Sequence, residues 1–134
     1  LLSRARCTPP DRACVVCLSG ELGAGKTTFT KKIARELGIK RNVISPTFIL
    51  ERDYNIPKSH PLSVRFSRLV HIDAYRLTEH DALFSAHFRD LMEDPHSLIL
   101  IEWPERIKAF LPKGTLRVSF EHKDENTRIV TVGA

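Results

Sequence analysis

The chain has 134 residues, of which 42% are hydrophobic and 28% charged, with a formal net charge of +5. This is the balance of one soluble globular domain with a real core, and no apolar run approaches membrane-spanning length. Three cysteines argue against a disulfide framework, and no RRM, KH or zinc-finger signature accompanies the mild basic excess, which reads as a solvated surface.

Residues 1–12 are basic, carry Pro9-Pro10 and show no period, so a flexible basic arm is expected there. They hold no signal-type apolar stretch, and a cytoplasmic location is the expectation. Ala13 to Leu18 is a short apolar run that reads as a buried strand. Cys14 and Cys17 fall within it, three apart, and a strand sends such positions to opposite faces. They read as small buried residues rather than a metal or redox pair.

The next stretch is Gly20-Glu21-Leu22-Gly23-Ala24-Gly25-Lys26-Thr27, which fits the phosphate-binding pattern G-x-x-x-x-G-K-[ST]. Glycines without Cβ let backbone amides approach phosphate oxygens. The first turn of the following helix adds free N–H groups and the positive end of its dipole. Lys26 supplies a charge toward the β- and γ-phosphates, and the Thr27 hydroxyl suits Mg²⁺. Phe29, Ile33 and Leu37 form one stripe at helical spacing over 26–37, with Gly38 as the C-terminal cap. Strand, glycine-rich turn and helix together make 13–134 a single P-loop nucleotide-binding domain.

Ser45-Pro46-Thr47 is expected to be a loop, because Pro46 interrupts hydrogen bonding. Its hydroxyls fit two roles equally: sensing γ-phosphate and magnesium as a switch, or capping a proline turn. Phe48 to Tyr54 reads as a strand, and the proline- and serine-bearing 56–67 segment as a mobile surface loop. Leu69 to Asp73 is a second apolar strand ending in a carboxylate. Ligands in open α/β sheets sit beyond such carboxyl ends. His71, Asp73 and Tyr75 share one face if the strand continues, and His71 reads as an ordinary strand histidine.

Thr78 is the expected N-cap of a helix running to about Leu91, with Asp81 as its capping-box partner and Asp94-Pro95 ending the element. Ser97 to Glu102 is an aliphatic strand closed by an acid, suited to a central parallel position and to holding Mg²⁺ beside a P-loop. Trp103, the only tryptophan, follows directly. It reads as a cover for the nucleotide, an anchor for a partner, or a packing residue. Glu105 to Phe110 should form a short helix, and Leu116–Phe120 with Arg128–Val132 a hairpin. No guanine-selecting N-K-x-D follows, so adenine is the default base.

Four motifs fall in one order: Gly20 to Thr28, Ser45-Pro-Thr-Phe48, His71-Ile-Asp-Ala-Tyr-Arg-Leu77 and Ile101-Glu-Trp-Pro-Glu-Arg106. The set resembles the TsaE (YjeE) family of small P-loop ATPases in bacterial tRNA threonylcarbamoyladenosine biosynthesis, over roughly residues 13–132. The resemblance implies a P-loop NTPase-like three-layer α/β fold, its mixed sheet parallel at the centre and antiparallel at the flanks. It implies ATP and Mg²⁺ as cofactors, weak ATP hydrolysis, and action on a TsaB–TsaD pair that modifies adenosine 37 of tRNA, with tRNA met only indirectly.

By the same resemblance, Gly20 to Thr28 with Thr47 and Trp103 bind the nucleotide, and Thr27, Asp73 and Glu102 are the metal candidates. Lys26, Asp73 and Glu102 are the catalytic candidates, with Asp73 and Glu102 not separable into metal ligand and water-orienting group. The chain departs from the family pattern before the first strand, in a longer 56–67 loop, and at 78–84. Two other readings of the residues are a small-molecule kinase, for which no lid segment is evident, and a non-catalytic nucleotide sensor.

Overall fold

The computed structural model describes residues 11–21, 25–43, 51–78, 81–125 and 127–133. Its six strands are β1 (Cys14–Gly20), β2 (Glu51–Asn55), β3 (Arg68–Asp73), β4 (Ser97–Glu102), β5 (Leu116–His122) and β6 (Arg128–Gly133). Two α-helices, α1 (Lys26–Glu36) and α2 (Ala82–Met92), join them with two 3₁₀ segments, Pro61–Val64 and Pro104–Phe110.

The strands form one sheet in the order β2-β3-β4-β1-β5-β6. β3, β4, β1 and β5 run parallel, and β2 and β6 pair antiparallel at the two edges. The sequence dictates the centre. Every residue of Ser97–Glu102 is buried, and this strand lies between β3 and β1. Its unbroken aliphatic run is what burial on both faces requires.

Each face carries its own core. On one, Ile33, Ala34 and Leu37 of the α1 region cover Val16, Leu18, Leu69, Leu98, Leu100 and Val118. On the other, Phe88 and Leu91 of α2 and Ile107 cover Val15, Cys17, Val70, Ile72, Ile99 and Ile101. The alternation in β1, β3 and β4 thus produces three layers. Phe29 joins the first core through an edge-to-face contact with Phe120, centroids 5.4 Å apart. Gly38 closes the helix end at φ 77, in the left-handed region.

Cys14 and Cys17 divide between the two cores, as three-residue spacing in a strand demands. Cys17 is a free thiol, and burial pushes its pKa up to about 12. Cys14 is disulfide-bonded, where the sequence suggested only a buried side chain.

Four expectations need correction or trimming. The cap of α2 is Asp81, whose Oδ1 accepts the Phe84 amide at 2.9 Å, not Thr78. Asp81 reaches the free N3 amide itself, so the helix starts at Ala82. The 56–67 segment is pinned rather than loose. Ile56 and Phe66 are buried, Ile56 N–H donates to Ser67 O at 2.9 Å, and His60 accepts the Leu62 amide. The helix after Trp103 is 3₁₀, broken at Ile107 (φ −128°, ψ 33°). β2 begins at Glu51, and residues 48–50 of the expected strand lie outside the described residues, as does most of the basic arm. Among the described residues no helix is long and apolar enough to cross a membrane.

Candidate functional site

The site lies where β1 hands over to α1 and where β3 and β4 end. Gly20 closes β1 at φ 153, and a Cβ there would stand 2.7 Å from the Phe120 carbonyl oxygen. Only glycine lets β5 pack this closely against the start of the loop. Gly25 precedes the helix at φ 106, in the left-handed region, and among the described residues no side chain caps the first α1 amides. Glu21 and Thr28 are exposed beside it, and Leu22, Gly23 and Ala24 lie outside the described residues.

Lys26 is the first residue of α1 and is buried. Its Nζ donates to the Gly20 carbonyl at 2.7 Å and sits 3.9 Å from the centroid of the Trp103 ring. Burial lowers its pKa below the usual lysine value, against the opposing pull of Glu102, Glu105 and Asp73.

Thr27, one residue on, points its hydroxyl at the β4 tip, where Oγ1 lies 3.4 Å from Glu102 Oε1. Glu102 is buried, and its second oxygen, Oε2, accepts from His71 Nε2 at 3.0 Å. Asp73 is the register partner of Glu102 on the neighbouring parallel strand. The Ala74 amide bonds the Glu102 carbonyl at 3.0 Å and ties the two strand ends together. Asp73 Oδ1 accepts the Tyr75 amide at 3.0 Å, closing a turn and leaving Oδ2 without a partner among the described residues. β3 stops at Asp73, so Tyr75 does not continue its face.

Trp103 follows Glu102 with φ 57° and ψ 51°, the only non-glycine residue with positive φ among the described residues. Its indole meets Tyr75 edge-on at 5.1 Å, and the Arg106 guanidinium lies 5.3 Å from the Tyr75 ring. The aromatic pair forms one wall of the site.

Thus the structure brings together Gly20, Gly25, Lys26, Thr27, Asp73, Glu102 and Trp103. Thr47 and the rest of the Ser-Pro-Thr segment lie outside the described residues. The donors beside the helix are a hydroxyl and two carboxylates, an oxygen set that fits Mg²⁺. Sequence reasoning passed over His71 as an ordinary strand histidine. Its alternation with Asp73, one strand from a buried glutamate, was the available signal.

A family model described as threonylcarbamoyl adenosine biosynthesis protein TsaE matches residues 3–130. The chain is 34% identical to the TsaE protein of Haemophilus influenzae over 119 residues, covering 89% of this chain and 70% of that protein. It is also 34% identical to the TsaE protein of Bacillus subtilis over 140 residues, covering 99% and 75%. The crystal structure of Bacillus subtilis YdiB superposes with a TM-score of 0.68 at 30% identity, covering 90% of this chain and 68% of that one. With a family model spanning nearly its whole length and relatives at this identity, the chain belongs to the TsaE family of threonylcarbamoyladenosine biosynthesis.

Proposed function

We propose that the chain binds ATP with Mg²⁺, hydrolyses it weakly, and acts on a TsaB–TsaD pair during threonylcarbamoyladenosine modification of tRNA. The observation that carries this reading is the meeting of Thr27 and Glu102, a P-loop hydroxyl and a strand-tip acid, 3.4 Å apart. A structural turn has no need of that pairing, whereas a magnesium–triphosphate site requires it.

The residues divide the work. Amides at the start of α1 and the Lys26 ammonium bind the phosphates, with Lys26 exchanging the Gly20 carbonyl for a phosphate oxygen. Thr27 and Glu102 would hold the magnesium, which would supply neutralisation of the charge that develops on the phosphates. Asp73 is better placed to orient water, since one of its oxygens already holds the Tyr75 turn and the other has no partner among the described residues. A carboxylate so fixed positions a nucleophile without itself reorganising. Trp103 covers Lys26 and offers an aromatic surface to the partner.

The test combines nucleotide binding with a pulldown. The wild-type chain should bind a fluorescent ATP analogue in a magnesium-dependent manner, and Lys26→Ala should not. ATP turnover should rise when the TsaB–TsaD pair is added. Wild-type affinity in Lys26→Ala removes the proposed site, and turnover indifferent to the pair removes the proposed partner.

A further inference from the structure

We infer that His71 is the positioning residue for Glu102, fixing the carboxylate that the proposed function assigns to magnesium; the inference rests on that reading. His71 lies at the centre of β3 with no exposed surface, on the α1 face of the sheet. Its neighbours two residues along, Leu69 and Asp73, mark the change on that face from core to site. Among the described residues the imidazole makes one hydrogen bond, Nε2 to Glu102 Oε2 at 3.0 Å.

The tautomer follows from the partner. Glu102 as a carboxylate only accepts, so the proton of a neutral ring sits on Nε2. Nδ1 is then an acceptor, and it is buried with no partner among the described residues. Arg52, the cross-strand register partner of His71, does not satisfy it, because Arg52 Nε is itself buried without a partner. Among the described residues the polar capacity of this side chain is therefore directed at Glu102 alone. A leucine at this position would continue the apolar rows of Leu69 and Leu100 without stranding a ring nitrogen, so packing does not account for the histidine.

The geometry divides the two oxygens of Glu102. His71 holds Oε2, and Oε1 is left facing Thr27 Oγ1 at 3.4 Å. The hydrogen bond thus selects the rotamer that presents one oxygen beside the P-loop hydroxyl. Groups that hold a metal-ligating carboxylate in this way typically change metal affinity by roughly 10–100-fold when removed. His71 touches neither nucleotide nor metal in this scheme and acts through Glu102.

The experiment titrates Mg²⁺ against a fixed concentration of a fluorescent ATP analogue for wild type, His71→Leu and His71→Gln, with thermal midpoints measured without ligand. His71→Leu should raise the half-saturating Mg²⁺ concentration by roughly tenfold or more, with a lower thermal midpoint in the absence of ligand, because the buried Glu102 Oε2 loses its donor. His71→Gln, whose amide N–H reaches toward the Nε2 position, should recover much of the loss. An unchanged Mg²⁺ requirement in His71→Leu, with wild type showing clear dependence, overturns this inference and leaves the proposed function standing. Wild-type binding that ignores Mg²⁺ overturns both. If His71→Leu does not fold, His71→Met, which likewise has no donor for Glu102 Oε2, takes its place: a roughly tenfold or greater rise in the half-saturating Mg²⁺ concentration supports the positioning role, and an unchanged requirement overturns it.

Discussion

Thr27 Oγ1 and Glu102 Oε1 lie 3.4 Å apart although 75 positions separate them in the chain. Sheet order explains the meeting. β4 is the parallel neighbour of β1, with Leu18 in register with Glu102, so the last residue of β4 arrives beside the turn that leads into α1. Both side chains then converge on the space in front of the first helical amides. Removing either should weaken Mg²⁺-dependent nucleotide binding far more than metal-free binding. Thr27→Val and Glu102→Gln are each expected to cost at least about 1.4 kcal/mol, a tenfold effect, in Mg²⁺-dependent affinity. Isothermal titration with and without Mg²⁺ measures the difference, and equal losses in both conditions would show that the pair does not serve a metal.

Lys26 carries a second prediction, about pH. Its pKa is lowered by burial, so the folded chain loses this proton at lower pH than the unfolded chain, whose value is near 10.5. Between the two, the unfolded state binds more protons, and stability from this group rises with pH. Below the lowered pKa both states are protonated and the full cost of burying the ammonium is felt. Lys26→Met removes that cost. Its thermal midpoint should exceed wild type at neutral pH, and the gap should narrow as pH approaches 10.5. Nucleotide binding should be lost throughout. A gap that widens with rising pH would refute the sign.

Gly20 serves chain packing, besides the phosphate approach proposed for it. A Cβ would stand 2.7 Å from the Phe120 carbonyl oxygen and 3.1 Å from its Cβ, and neither atom is the end of a flexible side chain. Gly20→Ala should therefore destabilise by about 1–3 kcal/mol through overpacking, besides distorting the loop. Gly25→Ala meets no atom within 4 Å, so its cost comes from φ 106 alone. That cost is about 1–2 kcal/mol. Denaturant midpoints of the two variants separate the mechanisms: adding Phe120→Ala should relieve nothing in Gly20→Ala, because the main clash is with backbone.

The sheet was legible because its central strands are aliphatic runs with sharp ends. Ser97 to Glu102 needed no tertiary information, since a run of that kind is stable only when covered on both faces. The turn from β1 into α1 was legible because its pattern sets Gly20, Gly25 and Lys26 at fixed spacing, and the structure ends β1 at Gly20 and starts α1 at Lys26 after Gly25. The cap of α2 was misread for a physical reason: Thr78 and Asp81 are both good caps, and only the fold decides which amide each can reach. The 56–67 segment looked loose because prolines and serines dominate it. Its order comes from Ile56 and Phe66, which contribute to the α1-side core from outside any strand. His71 was passed over because a hydrogen bond between strands depends on register, and His71 is aligned with Leu100 rather than with Glu102 itself. The alternation with Asp73 marks the face, but the side chain leans along the strand to reach its partner, and that pairing needs the register.

Trp103 provides the last prediction, because strain and contact can be separated there. The residue sits at φ 57° and ψ 51° directly after Glu102, and such a conformation costs a non-glycine residue about 1–2 kcal/mol. That cost is sustained by the ring, which stands 3.9 Å from the Lys26 ammonium and 5.1 Å from Tyr75. Trp103→Gly removes ring and strain together, while Trp103→Ala removes the ring and keeps the strain. Trp103→Ala should thus be the less stable of the two by about 1 kcal/mol. If the ring serves mainly as a partner surface, both variants should retain ATP binding within a few-fold and lose stimulation by the TsaB–TsaD pair to a similar degree. If it serves mainly to hold Lys26, both should lose ATP binding first. Parallel measurement of unfolding midpoint, ATP affinity and partner-stimulated turnover distinguishes these outcomes. Half of Tyr75 remains open to solvent beside the indole, an exposure of 51% that leaves an aromatic face available for contact. The partner role is therefore the expected result, and Tyr75→Ala should reproduce the loss of stimulation without the change in stability that follows from relieving φ at Trp103.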